Sequence, residues 1–144
     1  MVLQGRIALV TGASSGIGRG IARALAGEGM RLILVGRDAA RLAASAEACR
    51  AAGSPDAQTV AADLSTDAGV AAAAAAAGTL DVLVHSAGHY GRGAVAETPA
   101  AELDRHYAAN LRGPYELTRL LLPALKRQGG DIVFINSTQG LSAS

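Results

Sequence analysis

The sequence predicts an α/β fold, a parallel sheet of about five strands with helices on both faces. Apolar runs at residues 7–10, 32–35, 80–84 and 132–135 carry almost no polar alternation, the pattern of strands covered on both sides. Stretches of helical period lie between them, bracketed by caps and glycine stops. The loop Thr11-Gly12-Ala13-Ser14-Ser15-Gly16-Ile17-Gly18 joins the first run to a helix with Ile17, Ile21 and Leu25 on one face, giving strand, glycine turn and helix.

Each element has a local reason. Gly27 and Gly29 stop the first helix before the second strand at 32–35. Asp38 can cap the next helix, which runs to about residue 52 and ends at Gly53, with Pro55 beyond. A short third strand is predicted at 59–62. The alanine-rich helix after Thr66 needs only the high helix propensity of alanine, and it leads to the fourth strand at 80–84 and to His85-Ser86-Ala87-Gly88. Thr98 and Pro99 read as a cap followed by proline in the first turn. The helix they start runs from 99 to about 128, with a stripe of Leu103, Tyr107, Leu111, Pro114, Leu117, Leu121 and Leu125; Asn110 falls on the same face. Gly129-Gly130 ends it, and the fifth strand leads to Asn136-Ser137. There is no internal repeat and no linker, so 1–144 reads as one domain.

Half of the residues are hydrophobic and the formal net charge is +1, so the chain lacks the broad basic surface that nucleic acid requires. The single cysteine, Cys49, shares a helical face with Leu42 and Ala46 and reads as core. The alanines at 71–77 are too few to span a bilayer, and no charged-then-apolar leader is visible. The expectation is a soluble, cytoplasmic protein with neither nucleic acid nor membrane as partner.

The spacing Gly12-x-x-x-Gly16-x-Gly18 lets the backbone turn sharply and aim the bare N–H groups of a helix start at a phosphate. It is neither a P-loop nor G-x-G-x-x-G, so a diphosphate bridge suits it better than a transferable terminal phosphate; a tight packing turn is the alternative. Where dinucleotide folds place an acid for the adenine ribose, this chain has Gly36-Arg37. Nothing there repels a 2′-phosphate, and Arg37 offers it a bidentate fork, which favours NADP(H) over NAD(H) unless Arg37 is only a solvated charge. Asp63 and Leu64, just past the third strand, are placed to meet an adenine ring. His85 and His89 share no helix face, so no metal is expected, and His106 reads as a satisfied, partly exposed side chain. Asn110 needs a partner on an apolar stripe, and Pro114 has no N–H for its carbonyl, which leaves either a ligand-binding carbonyl or a kink with Asn110 bonded to a neighbouring loop.

Taken together, the glycine loop, Gly36-Arg37, Asp63-Leu64, Ser86-Ala87-Gly88, Asn110, and Ser137 with Gly140 resemble the short-chain dehydrogenase/reductase family over essentially the whole chain. The resemblance implies a Rossmann-type doubly wound sheet, a nicotinamide cofactor, and oxidoreduction between a carbonyl and a hydroxyl on a small molecule. It implies that Gly12, Ser14, Ser15, Gly16, Ile17 and Gly18 cradle the diphosphate and ribose, with Arg37 on the 2′-phosphate. Asp63 and Leu64 would hold adenine, and Ser86, Ala87 and Gly88 would line the cofactor's ribose. Ser137 corresponds to the catalytic serine, and Asn110 to the asparagine whose carbonyl holds a relay water. The helix at 99–128 resembles one through which family members form homo-oligomers.

Two departures accompany the resemblance. His85-Ser86-Ala87-Gly88 stands where the family has Asn-Asn-Ala-Gly, and the family's Tyr-x-x-x-Lys is absent: the tyrosines are Tyr90, Tyr107 and Tyr115, and the lone Lys126 has Leu122 four residues before it. The sequence therefore reads as the N-terminal portion of a longer enzyme, truncated within the family fold and inactive alone. A non-catalytic dinucleotide-binding or interaction module is the alternative.

Overall fold

In the computed structural model, which describes residues 2–137, the apolar runs pair as five parallel strands: β1 (Ile7–Thr11), β2 (Arg31–Gly36), β3 (Ala57–Ala61), β4 (Val82–His85) and β5 (Asp131–Phe134). Their spatial order is β3-β2-β1-β4-β5. Between them lie α1 (Gly16–Gly27), α2 (Ala39–Ala52), α3 (Asp67–Ala75), α4 (Ala100–Tyr107) and α5 (Gly113–Gln128), with a π-helical turn, Ala108–Arg112, joining the last two. Successive strands step outward from β1 to β3, and the chain then crosses back to β4 on the other side. This reversal opens a crevice beyond the carboxyl ends of β1 and β4.

Alternate residues of β1, β2 and β4 serve two cores, which is why these runs read as apolar throughout, whereas β5, expected to be covered on both sides, is exposed along its length. Ala8, Val10, Leu32, Leu34 and Val84 face Ala22 and Ala26 of α1 and Leu42, Ala46 and Cys49 of α2. Leu9, Ile33, Val35 and Leu83 face Val70 and Ala73 of α3 and Leu117, Leu121 and Leu125 of α5. The caps at Asp38 and Thr66 form as the sequence predicts, each side chain accepting from a first-turn N–H, of Arg41 and Gly69 respectively. Gly129 ends α5 in the left-handed conformation, φ 60°.

Several local expectations need correction. The fully buried stripe of α1 is Gly18, Ala22 and Ala26, while Ile21 and Leu25 of the expected face pack partly buried beside it and Ile17 is exposed at the crevice. Small residues let α1 approach the sheet closely. Pro99, not Thr98, caps α4, because the Thr98 hydroxyl donates to the Ala94 carbonyl instead. The expected continuous stripe is broken: Leu103, Tyr107 and Leu111 are more than half exposed, whereas Leu117, Leu121 and Leu125 are buried. Pro114 cannot donate to the residue 110 carbonyl and crowds it, and the chain widens just before it into the π turn, where the Gly113 N–H bonds to Ala108. The extra residue rotates the two halves of the stripe apart. β3 lies two residues earlier at its start than expected. β4 starts at Val82, just after Asp81, whose backbone bonds to both Ile7 and Asp131 and whose side chain accepts from the Ile7 N–H at 2.8 Å and from Arg6 Nε at 3.2 Å.

Candidate cofactor-binding site

A threonine ties the two sides of the crevice together. The buried Thr11 hydroxyl, at the end of β1, donates to the Val84 carbonyl and accepts from the N–H groups of Ser86 and Ala87, both at 3.0 Å. All of its hydrogen-bonding capacity is used. The glycine loop and the segment after β4 are thereby held against one another. Gly12 has φ +67°, and a Cβ there would stand 2.9 Å from the Ala87 backbone; a Cβ on Gly18 would collide with the Gly12 carbonyl. Neither position accepts a side chain without moving backbone.

The crevice has a volume of about 910 Å³, and all of the residues singled out for cofactor contact border it. On one wall lie Gly12, Ser14 and Ser15 with the start of α1 at Gly16, Ile17 and Gly18. Ser15 caps α1 without a side-chain bond, so no side chain covers the first-turn N–H groups. Around Gly16, φ +52°, there is open space where a Cβ would stand. The opposite wall is Ser86, Ala87 and Gly88. Arg37 reaches the rim and a smaller hollow shared with Ser14, Ser15, Asp38 and Arg41. Among the described residues Arg37 makes no ion pair, whereas Arg41 is paired with Asp38 at 3.4 Å. Gly36 packs on Ser14, whose hydroxyl would lie 3.2 Å from a Cβ at that position.

Asp63 and Leu64 close the third side, in less open poses than expected. One Asp63 oxygen accepts from both the N–H and the hydroxyl of Ser65, and these bonds, with the Arg37 charge nearby, hold its carboxyl below the usual range. Leu64 borders the crevice but is buried in the core beside α3 and α5.

The two residues assigned to chemistry lie just outside this wall. Asn110 pairs with the chain at His89, Oδ1 accepting from N–H at 2.7 Å and Nδ2 donating to the carbonyl at 2.8 Å. Its partner is thus a neighbouring loop, one of the two alternatives the sequence leaves open. Ser137 follows β5 and is exposed, with its N–H on Asn136 Oδ1 at 2.8 Å. Gly140 lies outside the described residues.

Sequence reasoning missed the wall made by α4 and the π turn, where Asp104, Arg105, Ala108 and Ala109 join His89 at the crevice. Their spacing is that of one helical face, the signal that could have found them. It also missed the state of His85. Its ring is buried and stacked on Phe134 at 4.7 Å, with Nε2 2.8 Å from the Thr118 hydroxyl; burial pushes its pKa down to about 4. Nδ1 has no hydrogen-bond partner among the described residues.

The short chain dehydrogenase family model matches residues 6–144. A 3-oxoacyl-[acyl-carrier-protein] reductase of rhamnolipid biosynthesis from Pseudomonas aeruginosa is 37% identical, over 98% of this chain and 58% of its own length. The L-sorbose reductase of Gluconobacter frateurii, solved with NADPH and L-sorbose, superposes with a TM-score of 0.87 at 30% identity, covering 92% of this chain and 52% of that one. A 7α-hydroxysteroid dehydrogenase solved with NADH and 7-oxo glycochenodeoxycholic acid superposes at 0.92, with 27% identity over 99% of this chain and 57% of that one. The chain spans about half the length of the curated relatives it matches. The glycine cradle, the reversed sheet and the match over residues 6–144 identify the chain as a member of the short-chain dehydrogenase/reductase family.

Proposed function

We propose that this protein is an NADP(H)-dependent oxidoreductase acting between a small carbonyl compound and its alcohol, and that residues 1–144 form its cofactor-binding domain. The observation that carries this reading is the crevice at the sheet's reversal point, where the α1 start, with no bond from the Ser15 side chain, faces open space and Arg37 makes no ion pair among the described residues. Both features suit phosphate, the first a diphosphate and the second a 2′-phosphate. The P. aeruginosa and G. frateurii relatives support the reaction class. The steroid dehydrogenase with NADH shows that the family fold serves either cofactor, so the preference for NADP(H) rests on Gly36-Arg37.

Bound nicotinamide would supply or accept the hydride. The chain's own groups bind and orient: N–H groups at Gly16–Gly18 hold diphosphate, Asp63 and Leu64 adenine, and Ser86–Gly88 ribose. Ser137 donates a hydrogen bond to the substrate oxygen, and the Asn110 carbonyl, which Pro114 cannot engage, holds a water that passes a proton. The proton source itself needs a Tyr-x-x-x-Lys pair, absent from these 144 residues. Positioned acid–base catalysis contributes about 10²- to 10⁴-fold, so the 144-residue chain alone should not turn over.

The same reading places the enzyme in the cytoplasm, consistent with its lone buried cysteine; among the described residues no helix is long and apolar enough to cross a membrane. Exposed Leu103, Tyr107, Leu111 and Tyr115 along α4, the π turn and α5 support a homo-oligomer, which light scattering tests. The function is tested by NADPH oxidation over a panel of ketones, comparing the 144 residues with a chain extended through Tyr-x-x-x-Lys. Turnover by the extended chain alone is expected. Cofactor binding without turnover by either would favour the non-catalytic module.

A further inference from the structure

At the edge of the crevice, which His89 borders, one cluster of side chains has no part in the cofactor reading. Glu102 and His106 stand one turn apart on α4, and the loop after β4 brings His89 onto the same point. His89 Nε2 lies 2.7 Å from Glu102 Oε1, His106 Nε2 lies 3.5 Å from the same oxygen, and the three donor atoms all fall within 4.8 Å of one another. We propose that His89, Glu102 and His106 form a binding site for one divalent transition-metal ion of the zinc class.

Two imidazoles and one carboxylate are the donor set that suits Zn²⁺ or Co²⁺, whereas Mg²⁺ and Ca²⁺ take oxygen ligands. Bonds of about 2.0–2.2 Å in a tetrahedron put donors roughly 3.3 Å apart, so the Glu102 contacts already bracket that spacing. The outer contacts are present too. Arg105 donates to Glu102 Oε2 at 2.9 Å, which leaves Oε1 as a single donor toward the histidines. Asn110, pinned by the His89 backbone, presents its remaining N–H to His106 Nδ1 at 3.3 Å, so Nε2 is the nitrogen left on the Glu102 side. Ligation through Nε2 moves the ring proton to Nδ1, where it faces the Asn110 N–H, so the His106 ring and the Asn110 amide must shift apart on binding. The loop is also shaped to the cluster: a Cβ on Gly91 would collide with Glu102 Oε1 and stand 3.4 Å from His106 Nε2. Three protein ligands leave a fourth position for water or a ligand oxygen.

The test titrates ZnCl₂ into untagged, chelator-stripped protein by calorimetry, with MgCl₂ as comparison. One Zn²⁺ per chain at micromolar affinity is expected, with no response to Mg²⁺. His106→Ala and Glu102→Ala should each weaken it by more than the roughly 10- to 100-fold typical of losing an outer partner. Circular dichroism of the metal-free variants checks their folding. A second measurement needs no variant: in ¹⁵N-resolved imidazole spectra, Zn²⁺ should shift His89 and His106 and leave His85, the third histidine of the 144 residues, in place. No binding, binding unchanged in both variants, or a shift confined to His85 would overturn the proposal. None of these outcomes bears on cofactor binding.

Discussion

His85 makes the stability of this fold depend on pH in a way that one substitution removes. Its folded pKa is about 4, against 6.5 for an exposed imidazole, because burial disfavours the charged ring. A base with a depressed folded pKa stabilises fully above its unfolded value, and that contribution is lost as pH falls through 6.5 toward 4. At about 1.4 kcal/mol per unit, the whole window is worth about 3 kcal/mol, and the step from pH 7.5 to 4.5 about 2.5 kcal/mol. The assay is urea unfolding of the unaltered protein and of His85→Asn at both pH values. Asparagine keeps a polar atom near Thr118 but cannot take up the proton. Carboxylates titrate alike in both proteins and cancel in the difference. The unaltered protein should lose about 2.5 kcal/mol more than His85→Asn over that step. Equal losses, within about 0.5 kcal/mol, would show that His85 is not held neutral by its burial.

Other substitutions address the cradle. Thr11→Val keeps the shape but leaves the Ser86 and Ala87 N–H groups without their shared acceptor, so unfolding experiments should show a loss of about 1–3 kcal/mol and cofactor titrations a weaker site. Gly18→Ala forces a Cβ onto the Gly12 carbonyl and should cost about 1–3 kcal/mol, read as a lower Tm. Asp81→Ala frees the Ile7 N–H and Arg6, and should destabilise by about 1–3 kcal/mol in denaturant titration.

Much of this fold is legible because its signals are local. Apolar runs, the caps at Asp38 and Thr66 and the stop at Gly129 each act within a turn or two of chain. The glycine loop is legible for the same reason, since turn, close approach and helix start are encoded in eight consecutive residues. What the sequence hides is relational. The π turn before Pro114 changes which face of the helix meets the core, and no period count through 103–125 reveals it. Leu64 reads as a surface cover for a ring, and while it borders the crevice, most of it is buried in the core beside α5. His89 meets Glu102 and His106 only because the loop folds back over α4, a contact that Asn110 secures from the π turn. His85, only four residues before His89, instead stacks on Phe134 in the core.

The central claim is that the crevice takes NADP(H) through Arg37, and titration of NADPH and NADH into the protein, followed by nicotinamide fluorescence, tests it most directly. A charge-assisted contact to phosphate is worth about 1.5–3 kcal/mol, so NADPH should bind about tenfold to a hundredfold more tightly than NADH. Arg37→Ala should bring NADPH down to the level of NADH while leaving NADH binding unchanged. Equal affinities in the unaltered protein, or an NADPH preference that survives Arg37→Ala, would contradict the account.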